Sequence, residues 1–135
     1  MEGETKSIQL PKPIELFLDT YGLFGQGNYD KILLFNETGE RIEWQVPRNI
    51  SAYKGAKIAI KSKRIEGLQG FIEINDSRKN LHRKAIITHV PAWVKRIIVV
   101  RDSRSSRNRY VKHYEYDFQT GELKEVEWIE EMEVD

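Results

Sequence analysis

The stretch RDSRSSRNRYVKHY, residues 101–114, has the strongest chemical signature in the chain. It carries arginines at positions 101, 104, 107 and 109, separated by Ser, Asn and one Asp. A guanidinium group is a planar fork of N–H donors that binds phosphate oxygens and also stacks on nucleobases. Ser and Asn add neutral donors to the same oxygens. The pattern predicts a loop that closes over a nucleic-acid strand; a solvated hairpin loop is the alternative.

Two further groups of basic residues precede this stretch. In the first group the lysines alternate with other residues, which predicts one face of a strand. The second group comes just before the apolar segment AIITHV. The members are Lys57, Lys61, Lys63 and Arg64 in the first group and Lys79, Arg83 and Lys84 in the second. Together with Arg101, Arg104, Arg107 and Arg109 they are the candidate phosphate contacts.

Aromatic side chains near these groups are candidates for stacking on bases, which is how proteins hold single strands in a basic groove. Ile72 and Ile74 should face the core, so Phe71 should point outward from its strand. Trp93 and Tyr110 are the other candidates. For each of them, packing within the protein is the competing interpretation.

The net charge of +1 conceals a strong asymmetry along the chain. Residues 1–47 carry a net charge of −4, residues 48–113 carry +13, and residues 114–135 carry −8. A basic block followed by an acidic end is typical of nucleic-acid-binding proteins. The alternative is a fold in which acidic and basic strands lie side by side and neutralise each other.

Enzyme chemistry has weaker support in the sequence. Asp117, Glu122 and Lys124 resemble the carboxylates and lysine of a metal-dependent nuclease, but any acidic hairpin produces this spacing. The histidines have no spacing typical of a metal site, and there is no cysteine nucleophile. We therefore predict no catalytic residue, no metal ligand and no cofactor.

Length and composition predict one soluble domain. A chain of 135 residues without cysteine has no disulfides, and no apolar run approaches the length of a membrane span. The N-terminus is polar and acidic, unlike a signal peptide. We expect a cytoplasmic protein with a flexible tail over 1–13, a single β-rich domain over 14–129 and an acidic tail over 130–135.

The hydrophobic pattern predicts many short strands and little helix. Two hairpins are expected, around residues 36–39 and around Thr120-Gly121, and VKRIIVV reads as a buried strand. The segment SRKNLHRKAIITHVPAW fits either a short helix or a strand. The predicted fold class is all-β, or β-rich α+β, built as a small antiparallel barrel.

The segment ILLFNETGERIEWQVPRNISAYKGAKIAIKSKRIEGLQGFIEIN resembles the middle of OB-fold domains of the simple single-stranded-DNA-binding kind. The resemblance covers roughly residues 30–80 and lies in the order of strand, T-G turn, polar-faced strand and G-F-I-E-I step. It implies an OB-like barrel with an extra C-terminal hairpin.

The sequence therefore predicts a non-catalytic protein that binds single-stranded DNA or RNA with low sequence specificity. Its acidic end is a candidate site for a protein partner, and no membrane association is expected. Two alternatives stay open: a small docking subunit of a larger nucleoprotein or virion complex, and a metal-dependent nuclease.

Overall fold

The computed structural model describes residues 6–20, 27–50, 53, 55–77, 80–105 and 107–128. Within these ranges the chain forms nine strands and no helix. The strands are β1 (Ser7–Thr20), β2 (Gly27–Phe35), β3 (Arg41–Gln45), β4 (Lys57–Ala59), β5 (Gln69–Ser77), β6 (Asn80–Pro91), β7 (Arg96–Arg104), β8 (Arg109–Tyr116) and β9 (Leu123–Val126). The prediction of an all-β fold is confirmed.

All the strand pairs are antiparallel and belong to one sheet with the order β4-β5-β6-β1-β2-β7-β8-β9. Strand β3 lies off this path and pairs with the second half of β2, whose first half pairs with β1. The pairings of the described residues leave the sheet open, so the predicted closed barrel is not formed. The reason is that β4 and β9, at the two ends of the path, do not pair with each other.

The sheet nevertheless folds over on itself around one main core. Its buried side chains come from β1, β2, β5, β6, β7 and β8, so strands that are far apart in the sheet share one apolar interior. The Tyr116 hydroxyl on β8 donates a hydrogen bond to the Lys12 carbonyl on β1 (2.7 Å), although β2 and β7 separate these strands in the sheet. This contact brings the β8–β9 hairpin against β1.

The pairing of β1 with β6 is interrupted near the middle of β1. Its register with β6 shifts between Gln9 and Ile14. The shift spans Pro11 and Pro13, which have no backbone N–H to donate to a neighbouring strand. The two halves of β1 therefore pair separately with β6, and Lys12 is left to meet Tyr116.

Both predicted hairpins are present and use the same turn chemistry. Asn36 Oδ1 accepts hydrogen bonds from the amides of Thr38 and Glu40 (3.1 and 2.9 Å). Asp117 Oδ1 accepts from the amides of Gln119 and Thr120 (2.8 and 3.3 Å). In each case a short polar side chain replaces backbone partners in the turn, and a glycine with positive φ follows.

Two expectations about individual segments are corrected by the structure, and one alternative left open by the sequence is decided. The arginine-rich stretch is not one loop, because Arg101 and Arg104 lie in β7 and Arg109 begins β8. The strand expected to carry the first group of lysines contains only Lys57–Ala59, so the basic residues at 61, 63 and 64 lie in a loop. The ambiguous segment after residue 77 forms strand β6, without a helix.

The expected domain boundary at residue 14 falls inside β1, which begins at Ser7 and pairs with β6 from its first residue. Hydrogen-bonded backbone therefore extends into the region expected to be a tail. Residues 1–5 and 130–135 lie outside the described residues.

Candidate nucleic-acid interface

The best-defined polar site is built around Tyr29 near the start of β2. The guanidinium carbon of Arg48 lies 4.4 Å from the centroid of its ring, and that of Arg104 lies 5.3 Å away. The ring is 6% exposed and belongs to the main core. A cation is attracted to the electron-rich face of an aromatic ring within about 6 Å. Tyr29 thus holds two arginines from distant parts of the chain beside each other.

Asp102 on β7 fixes a further arginine next to them. Its two carboxylate oxygens accept hydrogen bonds from Arg104 (3.4 and 3.1 Å) and from Arg109 (3.1 and 3.0 Å). Burial raises the pKa of Asp102, but the hydrogen bonds and charges of Arg109 and Arg104 outweigh burial and leave this pKa below its usual value. The carboxylate is therefore ionised at neutral pH and orients both guanidinium groups.

These groups line a cavity of about 310 Å³, which we call the arginine pocket. Four cationic side chains and one carboxylate line it, so its walls carry an excess of positive charge. Its polar lining residues are Tyr29, Lys31, Gln45, Arg48, Asp102, Arg104, Arg109 and His113, and its apolar lining residues are Leu33, Val100 and Val111.

The cations of the arginine pocket are not equally neutralised. Lys31 pairs with Glu43 at 3.0 Å on the neighbouring strand. Arg104 and Arg109 share the single carboxylate of Asp102. Within the described part of the chain, no carboxylate pairs with the Arg48 guanidinium. The pocket can therefore accept an anion with two or three oxygens, such as a phosphate group.

Arg83 supports the arginine pocket through the backbone of Arg48. It is 5% exposed and donates a hydrogen bond to the backbone carbonyl of Arg48. Burial, followed by the charge of Arg48, lowers the pKa of Arg83. We expected Arg83 to contact phosphate directly, but its burial gives it the role of holding the segment that carries Arg48.

A second group of predicted residues shares one face of β4, β5 and β6. The Lys57 ammonium lies 5.3 Å from the centroid of the Phe71 ring, and it pairs with Glu73 at 3.8 Å. Lys84 pairs with Glu15 at 3.0 Å and with Glu73 at 3.8 Å. Two carboxylates therefore balance two lysines, and Phe71 is partly covered by a lysine of its own sheet.

Arg101 lies on the opposite face of β7 from Asp102 and Arg104, because successive side chains of a strand alternate. Its Nε donates to the buried Asp30 carboxylate at 3.1 Å. Burial raises the pKa of Asp30, although the amide of Phe17 and the charge of Arg101 act in the opposite direction. Arg101 therefore does not belong to the arginine pocket.

The remaining predicted residues are dispersed. Lys61, Lys63 and Arg64 are exposed in the loop between β4 and β5, and Trp93, in the turn after β6, is 37% exposed. Arg107 is exposed in the turn between β7 and β8. Tyr110, at the start of β8, is 61% exposed. Lys79 lies outside the described residues. Of the predicted residues, Arg104 and Arg109 thus lie together in the arginine pocket, and Arg83 supports the pocket through its hydrogen bond to Arg48.

Sequence reasoning missed Tyr29, Lys31, Arg48 and His113. Tyr29 and Lys31 lie in a strand whose apolar neighbours predicted only a core element, and Arg48 lies in a connector after Pro47. One signal was present: Tyr29, Lys31 and Leu33 alternate, which predicts that a ring and a cation share one face of β2.

Asp117, one of the carboxylates considered for a nuclease, has a structural role. Asp117 accepts hydrogen bonds from two amides of its own turn, and the first of these, from Gln119, is the largest cause that lowers its pKa. In the described ranges, no group of three or more His, Asp or Glu side chains is arranged to hold a metal ion.

Comparisons with protein-family models, with curated proteins and with solved structures find no match for this chain. In the part of the chain that the structure describes, no helix is long and apolar enough to cross a membrane.

Proposed function

We propose that this protein binds single-stranded DNA or RNA without catalysis, through the arginine pocket and the adjoining tip of the β7–β8 hairpin. The resemblance of residues 30–80 to OB-fold domains supports the same function. We propose that it acts in the cytoplasm, as expected from the sequence.

The observation that carries the proposal is the excess of guanidinium groups around one small cavity. Arg48, Arg104 and Arg109 converge there from a connector and two strands, and only Asp102 opposes them within the lining. Like charges repel, so gathering them lowers stability unless the arrangement serves a ligand or is offset by packing. A phosphate group would satisfy the donors of the pocket through charge-assisted hydrogen bonds.

The tip of the β7–β8 hairpin extends the site beyond one phosphate. Arg107 is exposed in its turn, and Tyr110 presents a ring that is 61% exposed. Tyr110 follows Arg109 along β8, so its ring faces the other side of the sheet from the arginine pocket, and a strand that leaves the pocket across the hairpin tip would reach it. The tip would then add stacking on a base to electrostatic capture of the backbone, which are the two elements of single-strand binding. Neither element depends on base identity, which supports low sequence specificity.

The test is a titration of fluorescently labelled oligothymidine and of an RNA of equal length, followed by anisotropy at several salt concentrations. Affinity should fall steeply with salt, because phosphate contacts release counterions. Arg48→Ala should weaken binding and reduce the salt slope by about 0.7, the value for one contact to a single strand.

The matched control is Lys61→Ala, which removes one exposed positive charge outside the arginine pocket. Its affinity and salt slope should stay close to those of the native protein. Equal effects of Arg48→Ala and Lys61→Ala would mean that the pocket is not the binding site. Absence of binding to every oligonucleotide would reject the proposal and favour a protein-docking role, which a pull-down of nuclease-treated extract would then examine.

A further inference from the structure

A second cleft, of about 290 Å³, lies where β1 faces the β8–β9 hairpin. It is a product of the folded-over sheet, since its walls come from strands that are not neighbours in the sheet order. Phe17 and Leu123 form apolar walls, and Arg101 and Glu15 are its charged lining residues. The hydrogen bond between Tyr116, which also lines the cleft, and Lys12 holds β8 against β1.

Arg101 is held in a fixed orientation within this cleft. Its Nε donates to Asp30 Oδ2 at 3.1 Å, and the same oxygen accepts from the Phe17 amide at 3.0 Å. The Asp30 side chain has no exposed surface. The guanidinium carbon also lies 5.8 Å from the ring centroid of Phe17 and 5.4 Å from that of Tyr114. A buried anchor and two rings thus fix the plane of the guanidinium.

This anchoring uses only one of the three nitrogens of the guanidinium. With respect to the described residues, the two terminal amino groups of Arg101 make no hydrogen bond, and the side chain is 32% exposed. They are therefore available to a ligand in the cleft. A fixed fork of donors is suited to two adjacent acceptors in one plane.

We propose that this cleft binds an unpaired guanine base of the nucleic acid, with the terminal amino groups of Arg101 donating to guanine O6 and N7. The inference rests on the proposed function and adds a base preference to it. Guanine presents two acceptors side by side on this edge, whereas adenine presents an acceptor and a donor.

The walls favour a base over a phosphate group. Asp30 already partly neutralises Arg101, and Glu15 is paired with Lys84 at 3.0 Å, so the charged groups of the cleft offer phosphate little net attraction. A neutral base gains from contact with the apolar walls, and the Glu15 oxygen that does not bond Lys84 can accept a hydrogen bond from a guanine N–H. The arginine pocket has the opposite character, with several cations and one carboxylate.

The experiment compares oligothymidine with the same oligomer carrying a single central guanine, and with one in which 7-deazaguanine replaces that guanine. A bidentate arginine–guanine contact is worth enough to give about 10-fold tighter binding of the guanine oligomer. Loss of N7 in 7-deazaguanine should remove most of this preference. This comparison uses the native protein and does not depend on the folding of any variant.

Arg101→Lys keeps the positive charge but removes the planar fork, so it should abolish the preference for guanine and leave oligothymidine binding nearly unchanged. Arg104→Lys, in the arginine pocket, is the matched control and should weaken binding to all three oligomers equally. Equal affinity of the native protein for all three oligomers, or a guanine preference that survives in Arg101→Lys, would overturn the guanine site while the proposed function stands. Failure of every oligomer to bind would reject both.

Discussion

The carboxylate of Asp102 limits how strongly the arginine pocket can bind phosphate, and Asp102→Asn tests this directly. In the native protein this carboxylate occupies both Arg104 and Arg109 with four hydrogen bonds of 3.0–3.4 Å. A phosphate group must compete with it for the same donors. The variant keeps the size of the side chain, removes its negative charge and leaves Tyr29 to hold Arg104 in place.

The gain in affinity follows from counterion release. One additional phosphate contact on a single strand adds about 0.7 to the salt slope. If the variant and the native protein bind equally at 1 M salt, this difference in slope makes the variant bind about 4-fold tighter at 0.15 M salt and about 8-fold tighter at 0.05 M. The two arginines have 42% and 61% exposed side chains, so water and salt screen both ion pairs, and exposed pairs of this kind contribute little to stability. The urea midpoint should therefore fall only slightly.

The assay is fluorescence anisotropy with labelled oligothymidine at both salt concentrations, together with urea denaturation of the variant. Glu115→Gln is the matched control, because Glu115 forms an exposed ion pair with Arg96 (3.0 Å) and its loss changes the net charge by the same amount. The control should bind as the native protein does, apart from a small effect at low salt. Weaker binding of Asp102→Asn would refute the reasoning, since it would mean that the orientation of the arginines matters more than their charge.

Three further outcomes follow from the structure. Tyr110→Ala should weaken oligonucleotide binding about 10-fold by anisotropy and leave the urea midpoint unchanged, because its ring is 61% exposed. Gly121→Ala should lower the free energy of unfolding by more than about 1 kcal/mol, since φ is +75° and a Cβ would lie 2.7 Å from Lys12. The control Gly39→Ala, with φ of +89° and open space, should cost less in the same urea titration. Burial raises the pKa of Asp30 above 3.8, so the folded protein retains this proton to a higher pH than the unfolded chain. The stability that this group contributes is therefore lost as the pH rises above 3.8. Over that range the free energy of unfolding of Asp30→Asn, measured by urea titration, should rise relative to that of the native protein. A difference between the two proteins that does not change with pH would contradict the raised pKa of Asp30.

Much of the secondary structure follows from the sequence, because its causes are local. The run of Ile97, Ile98, Val99 and Val100 predicts a buried strand, and all four side chains are buried in β7. Both hairpins follow from an Asn or Asp that bonds the amides of its own turn and a glycine that tolerates positive φ. These interactions span a few residues and need no knowledge of the rest of the fold.

The extent of each strand depends on its neighbours and was less predictable. Ser7 is in a strand because it pairs with Pro91, which is 84 positions away along the chain. The alternation of lysines predicts a strand that continues to residue 63, but the chain leaves β5 after Ile60, whose amide donates to the Gly70 carbonyl (3.1 Å). Local alternation states which residues can form a strand, whereas the partner decides which of them do.

The sequence by itself determined that the chain is rich in β-strands and that its middle is strongly basic. Only the tertiary structure decided which cations act together. The register of β2 with β7 places Tyr29 opposite Asp102, and the connector after β3 brings Arg48 to the same ring. Arg101, three residues from Arg104, faces the other way and pairs with a buried carboxylate. The interaction between two charges depends on their distance in space, over a few ångströms, and the number of residues between them in the sequence does not give that distance.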